Sequence, residues 1–257
     1  METNLNCDLG ETSIQHSAEN DPELMKLINT ANIACGFHAG DEETMRKTVD
    51  LAIKHNVSIG AHPGFADKEN FGRKRVNLTK DEIKKLILDQ IQILSEISES
   101  RGLSLTHVKP HGALNNMACE DYELSFTIGQ TIKEFNRELI FMVLPETEME
   151  KAGKDLDLKI ACEIFADRNY EDNGRLVSRD QTHALKSDVI EATQNIINML
   201  NDKAILCYSG KRIPCQIDTI CVHGDGENAV EIVRNIKNNL EKAGLILRPL
   251  NKLEKFN

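Results

Sequence analysis

Apolar residues along this chain keep two alternating rhythms. Short, nearly continuous apolar runs predict strands at Leu5–Cys7, Ala31–Phe37, Val57–Ala61, Leu105–Lys109, Leu139–Leu144, Lys159–Phe165 and Thr219–Val222, with a weaker one at Leu245–Leu247. Runs of that length, bounded by turn residues, suit strands buried on both faces. Between them, apolar positions recur every third or fourth residue, the spacing that lines one face of a helix. The stretch from Lys80 is the clearest. Ile83, Leu86, Ile87, Ile91, Leu94 and Ile97 share a face, Thr79 with Glu82 forms a capping box, and Gly102 supplies the stop. Similar stripes predict helices over Glu42–His55, Asp121–Arg137, Asp188–Leu200 and Glu227–Ala243. Alternation sustained along the whole chain predicts an α/β fold with a parallel sheet covered by helices, and 257 residues is the usual size of one βα barrel.

Two segments leave this rhythm. Residues 166–187 form a long polar connection, and structureless loops of that length are usually functional or disordered. Residues 203–217 read as a hairpin turning at Ser209-Gly210, with Pro214 on an edge strand. No linker, low-complexity tract or fixed-period repeat divides the chain, so a single domain over residues 1–257 is expected.

Polar residues punctuate the predicted strand ends in a repeated way. His38, His62, His111 and His223 each follow a different strand, in "ANIACGFHAGD", "SIGAHPG", "THVKPHGAL" and "TICVHGDGE". Asp8 ends the first strand and Asp167 follows the sixth. In a parallel βα barrel the C-terminal strand ends share one mouth, so residues far apart in sequence meet there. One histidine after a strand is ordinarily a turn residue, but independent turn histidines are not expected at the same end of four strands. Four imidazoles and two carboxylates around one opening would make an acid–base or metal-capable site. Asp41 and Asp225 have a simpler reading as helix N-caps, and Glu11 as a solvated loop charge. His16, His55 and His183 receive no role, and His107 is expected to share the side of its strand with Lys109. Lys109 closes an apolar strand and would either snorkel to solvent or bind an anion in the mouth; Arg168, Arg175 and Arg179 would add local positive field.

Composition narrows the partners. A net charge of −10 argues against nucleic-acid binding, and any anionic substrate needs a local cluster of cations. No stretch reaches the roughly 18 apolar residues of a membrane span, and "METNLNCDLGE" lacks the features of a secretory signal, so a cytoplasmic protein is expected. Seven cysteines without a CxxC pair, five of them (Cys7, Cys35, Cys162, Cys207 and Cys221) inside apolar runs, read as buried structural thiols. GxxxxGK[ST], GxSxG and HExxH are all missing, so no standard nucleotide cradle, hydrolase elbow or zincin helix is encoded. The turn "HGDGENA" opening the last helix could still present backbone N–H groups to an anion.

Taken in order, "LNCDLGE", "ANIACGFHAGD", "GAHPGF", "FGRK", "HVKPHGALNN", "FADRNY", "LVSR" and "ICVHGD" resemble the LamB/YcsF family from Leu5 to about Leu247. Asn115 stands where that family usually has tyrosine, "LGETS" replaces "LGEGFG", and His183 takes a place where glycine is common. The resemblance implies a distorted seven-stranded β/α (TIM-like) barrel of the glycoside hydrolase/deacetylase kind. It also implies opening of 5-oxo-L-proline to L-glutamate, driven by ATP with Mg²⁺ and carried out with 5-oxoprolinase subunits B and C.

Chemistry of that kind sets the expected roles. A lactam is resonance-stabilised, and phosphorylating its oxygen makes the ring carbon electrophilic. The protein must then hold a carboxylate, stabilise phosphate charge, aim a water and protonate the ring nitrogen. Lys109 with Arg168 and Arg179 would bind carboxylate or phosphate; Asp8 or Asp167 would orient water; one of His38, His62, His111 and His223 would serve the nitrogen. A rival is a metal-dependent amidase or deacetylase of the same fold, with Asp8, His38 and His62 as ligands. A second rival is a non-catalytic component that delivers a small acid to its partners.

Overall fold

The computed structural model describes residues 2–14, 16–186, 188–222 and 229–257. Seven parallel strands close into a barrel: β1 (Glu2–Leu9), β2 (Thr30–Ala34), β3 (Ser58–His62), β4 (His107–Val108), β5 (Ile140–Val143), β6 (Ile160–Phe165) and β9 (Thr219–Cys221), with β9 pairing back onto β1. The hairpin β7 (Ala204–Leu206) and β8 (Arg212–Pro214) stands outside this ring, antiparallel as its turn residues required. The short β10 (Ile246–Leu247) adds to the start of β1. Around the barrel lie α1 (Asp21–Leu24), α2 (Glu42–His55), α3 (Lys80–Glu99), α4 (Gly112–Ala118), α5 (Tyr122–Phe135), α6 (Glu148–Asp155), α7 (Val189–Asp202) and α8 (Ala229–Lys242).

Local chemistry explains the bounds. Asp41 caps α2 by accepting the Thr44 N–H, and the Thr79–Glu82 box opens α3. The expected apolar stripe of α3 is the face it buries. Strand β2 stops at Ala34, not Phe37, because Gly36 turns the chain at φ +83. Pro110 lacks an N–H, and the regular ladder of β4 is correspondingly short, although Thr106 and Lys109 N–H still donate to β3 carbonyls. Three helices escaped the periodicity: α1, α4 and α6 are each eight residues or fewer, too short to show a stripe.

Two cores result. The larger lies between barrel and helices and contains Ile59, Ile87, Leu94, Phe141 and Ile164. A smaller one seals the barrel floor at the strands' N-terminal ends, where Leu250 and Leu253 of the C-terminal turns pack on Ile140, Met142 and Ala161. Among the described residues, no helix is long and apolar enough to cross a membrane. All seven cysteines are free thiols, and burial pushes Cys35 and Cys119 up to about 12, so they stay protonated.

The barrel interior is polar, which the strand pattern did not foretell. Asn6 Nδ2 donates to Thr219 Oγ1 at 2.7 Å, and Asn32 Nδ2 donates to Asn6 Oδ1 (2.8 Å) and Asp8 Oδ1 (2.7 Å). Because both Asn32 donors are used, its Oδ1 accepts from His107 Nε2–H at 2.7 Å. His107 is fully buried, on the interior side it shares with Lys109. Its ring fills the space over Gly60, where any Cβ would overlap it.

Two outcomes follow from this packing. Gly60→Ala should destabilise the fold by about 1–3 kcal/mol through overpacking, measurable by urea unfolding. His107 is also held, by burial first and by Lys109 second, down to about 3. Its folded value lies below the unfolded one near 6.5, so the stability it contributes is intact above pH 6.5 and is lost as pH falls towards 3. Each unit in that window costs about 1.4 kcal/mol. His107→Gln, which keeps a donor for Asn32, should flatten the acid limb of stability relative to the parent; an unchanged limb would refute neutral burial.

Candidate active site

One cavity of about 620 Å³ opens at the C-terminal end of the barrel. Its floor is built from β1, β3 and β4, its near wall from residues 71–75 and α4, and its far wall from the long polar connection, including Arg168, Arg175 and Val177. That connection is organised by bridges between Arg168 and Leu185 and between Tyr170 and Leu176.

Asp8 is the next-to-last residue of β1 and points inward. Its Oδ1 accepts from Asn32 and from Lys109 Nζ, the latter at 2.9 Å, while Oδ2 lies 3.3 Å from His62 Nε2. Lys109 also lies 3.0 Å from Glu163 Oε1 on β6 and donates to Cys221 Sγ at 3.2 Å. Burial alone would discharge Lys109, but the carboxylates of Asp8 and Glu163 outweigh it and hold the ammonium well above its ordinary range. One ammonium cannot neutralise two carboxylates; burial raises the deeper one, Glu163, against the pull of Lys109. Lys109 thus lines the cavity with its charge already engaged.

Three of the histidines converge. His38 and His111 stack face to face, ring centres 3.8 Å apart, and His62 meets His111 edge-on. His38 is wholly buried behind the floor, between Gly64 and Gly72, at neither of which a Cβ would fit against it. Gln90 of α3 fixes the Gly64 turn with paired bonds to its N–H and C=O. Phe71 and Gly72 adopt left-handed backbone at φ +55 and +62; for Phe71 this costs on the order of 1–3 kcal/mol and aims its carbonyl at His111.

Glu11 joins them, and here the expectation of a solvated charge is corrected. Gly10, at φ +70 with its N–H held by Asp21 Oδ2 (2.8 Å), folds the chain back over the mouth. Glu11 Oε1 consequently lies 3.2 Å from His38 Nε2, 3.2 Å from His111 Nδ1 and 3.7 Å from His62 Nε2. Burial would raise it, yet His111 and His38 hold the carboxyl well below the usual range. Asp21, a second buried acid that no motif in the sequence marks, is pushed up to about 7 by burial.

Tautomers decide what this cluster can hold. His62 Nδ1–H donates to the Lys109 carbonyl at 2.7 Å, and His111 Nε2–H to the Phe71 carbonyl at 2.8 Å. Carbonyls only accept, so neutral rings turn lone pairs inward at His62 Nε2 and His111 Nδ1, which are 3.0 Å apart. Two lone pairs and a carboxylate at such distances call for a cation between them, either a shared proton or a metal ion. Glu11, His38, His62 and His111 offer one ligand atom each, all within 4.8 Å of one another. Imidazole and carboxylate donors suit zinc and similar divalent ions, and carbonyl-held tautomers are the usual outer support of such ligands. The residues therefore fit a divalent metal, with Glu11 and His111 in the set and Asp8 beside it.

The other candidates are placed less centrally. Arg168 lines the cavity, is 7% exposed and donates through Nη2 to the Val177 carbonyl at 2.6 Å. Arg179 is exposed on the far wall. Asp167 is half-buried and is not among the lining residues; its carbonyl accepts from Lys186 N–H. His223 and Asp225, with the rest of residues 223–228, lie outside the described residues. Asn115 lines the cavity, whereas His183 stacks on Tyr208 away from it.

Comparison with known proteins agrees with this architecture. The A component of 5-oxoprolinase from Staphylococcus carnosus is 44% identical over 97% of this chain and 99% of its own length, and that from Staphylococcus aureus is 41% identical over 97% and 100%. The crystal structure of a lactam utilization protein from Thermus thermophilus superposes with a TM-score of 0.89 at 36% identity, covering 96% of this chain and 99% of that one. An Enterococcus faecalis protein described as a putative cellobiose-phosphate cleavage protein shares the fold at a TM-score of 0.59 with 10% identity. The LamB/YcsF profile matches residues 3–255, and the chain belongs to the LamB/YcsF family.

Proposed function

We propose that this chain opens the lactam ring of 5-oxo-L-proline to give L-glutamate, as the A component of an ATP-dependent 5-oxoprolinase that works with subunits B and C. The observation that carries this reading is the convergence of Asp8, Glu11, His62 and His111 on the floor of one cavity. The names of the relatives, a 5-oxoprolinase component and a lactam utilization protein, support the substrate class.

The residues divide the work as follows. Lys109 and Asn32 anchor Asp8 Oδ1, which fixes the carboxylate plane so that its other oxygen can take a proton from water aimed at the ring carbon. His62 or His111, sharing a proton with Glu11, returns one to the ring nitrogen as the C–N bond breaks. Arg168 and Arg179 face the substrate's anionic groups, and Lys109 acts on Asp8 instead of reaching the substrate. ATP, with Mg²⁺, is cleaved on the partner subunits; this chain supplies the hydrolytic step.

A metal-dependent amidase is the second reading, favoured by the facing lone pairs of His62 and His111. Glu11, His38, His62 and His111 would hold the ion, which would supply Lewis-acid polarisation of the lactam oxygen.

Asp8→Asn should lower coupled glutamate and phosphate release in the reconstituted three-component complex by about 10²–10⁴-fold, with circular dichroism unchanged. Turnover within a few fold of the parent would remove Asp8 from the mechanism. Protein purified without chelator should separate the two readings. Retention of one divalent ion per chain, lost in His62→Ala and His111→Ala, selects the metal reading. No retained ion, and no Co²⁺ absorption band on titration, selects the proton-sharing one.

A further inference from the structure

Helix α4 presents Gly112, Asn115 and Asn116, with Cys119 just beyond its end, to the cavity, the three-and-four spacing of one helical face. Asn115 is 7% exposed. Its backbone N–H donates to the His111 carbonyl at 3.2 Å, so it stands one turn beyond a histidine of the floor. Its carboxamide makes no hydrogen bond to the described residues. A buried group with one strong acceptor and two donors is therefore left with all of them unused.

Buried polar groups in folded proteins are nearly always bonded, because an unpaired one forfeits its bonds to water. Other buried asparagines of this chain obey the rule. Asn4 donates to Thr30 Oγ1 and the Arg248 carbonyl, Asn6 to Thr219 Oγ1, Asn32 to Asn6 and Asp8, and Asn169 to the His183 carbonyl. Asn195 of α7 also leaves its Nδ2 unpaired, but it does not line the cavity. Nor does the helix call for Asn115. Asparagine favours caps and turns, and here it sits between an N-cap at His111 and a C-cap at Cys119. Alanine or leucine would suit the helix better. The donor and acceptor of Asn115 are thus left for what occupies the cavity.

We propose that Asn115 is the specificity-determining residue of the cavity, and that it selects a lactam by pairing with the amide edge of the ring. This rests on the proposed ring-opening function and names how its substrate is recognised. In a five-membered lactam, ring closure locks the planar amide cis, so N–H and C=O lie along one edge. The carboxamide of Asn115 likewise carries Oδ1 and Nδ2 side by side. The two edges match, Oδ1 accepting from the ring N–H while Nδ2 donates to the ring carbonyl, the way asparagine reads a base edge with adjacent donor and acceptor. A lactone of the same shape lacks the N–H and sets a ring oxygen against Oδ1. Opening the ring separates the two groups, so the product no longer offers the edge. The pairing also places the scissile bond beside His111, one turn away.

The test is calorimetric titration of the full chain with 5-oxo-L-proline and with its lactone analogue, in which oxygen replaces the ring N–H. The parent should bind the lactam about tenfold or more tightly than the lactone, because a site built to pair with an N–H rejects the analogue lacking it. Asn115→Leu, unchanged in circular dichroism, should bind the two within about twofold of each other. Should Asn115→Leu fail to fold, Asn115→Ser, smaller and with one hydroxyl in place of two amide atoms, decides by the same ratio. A parent that does not saturate with the lactam, or does not prefer it, overturns the assignment. So does a variant that keeps the parent's preference. Binding is read here without turnover, so the two readings fall separately. A reconstituted complex that releases no glutamate sinks ring opening while the Asn115-dependent preference stands, and a preference indifferent to Asn115 leaves glutamate release untouched.

Discussion

Lys109 is the joint on which the site depends. Its ammonium reaches Asp8 on β1, Glu163 on β6 and Cys221 on β9, while its own carbonyl takes the proton of His62 on β3. One residue after the shortest barrel strand thus ties four others together across the interior. The same contacts do chemical work: the ammonium keeps one Asp8 oxygen anchored, and the carbonyl decides which nitrogen of His62 carries its lone pair. A neutral side chain at this position would leave two carboxylates facing each other in a dry space, at a cost of several kcal/mol for an uncompensated buried charge. The positive charge of Lys109 therefore serves structure first.

Around this joint the barrel departs from an ordinary hydrophobic filling. Asn4, Asn6, Asn32, Thr30, Thr219 and His107 form a bonded ladder up the axis, and the apolar plug is confined to Leu250, Leu253 and the residues they cover. Such a network adds little net stability, since each bond replaces one to water, but every broken link strands a buried polar group. It specifies register instead. A slip of one residue in β1 would turn Asn6 and Asp8 outward into the helix layer. The active geometry is therefore protected by the fold's own penalties.

How much of this could be read from the chain varies with the range of the interaction. Helix α2 runs over the residues its apolar spacing marks, the Asp41 cap and the Thr79–Glu82 box are where local sequence puts them, and the hairpin turns where Ser209-Gly210 suggests. These are short-range effects. Three strand-end histidines meet because parallel strands end together, which repetition of the motif made visible. Glu11 was not visible: its place is set by Gly10 at positive φ and by Asp21, eleven residues on from Gly10, holding that turn. No motif marks Glu163, and only its place on β6 opposite Lys109 gives it meaning. The engagement of Lys109 spans 101 residues to Asp8 and needs the closed ring before it exists.

The site divides into two electrostatic halves, an acceptor floor and a donor rim. The floor gathers acceptor atoms: carboxylates of Asp8 and Glu11 and the lone pairs of His62 and His111. The opening gathers donors, five guanidinium groups in a chain of net charge −10. A floor of acceptors is suited to taking protons from water or holding a cation, and it repels an anion that approaches uncompensated. A rim of guanidinium groups supplies that compensation and orients what enters, because forks bind oxygens in a fixed plane. An anion entering such a cavity meets the guanidinium rim first, so that an uncharged part of the same molecule is left to face the floor.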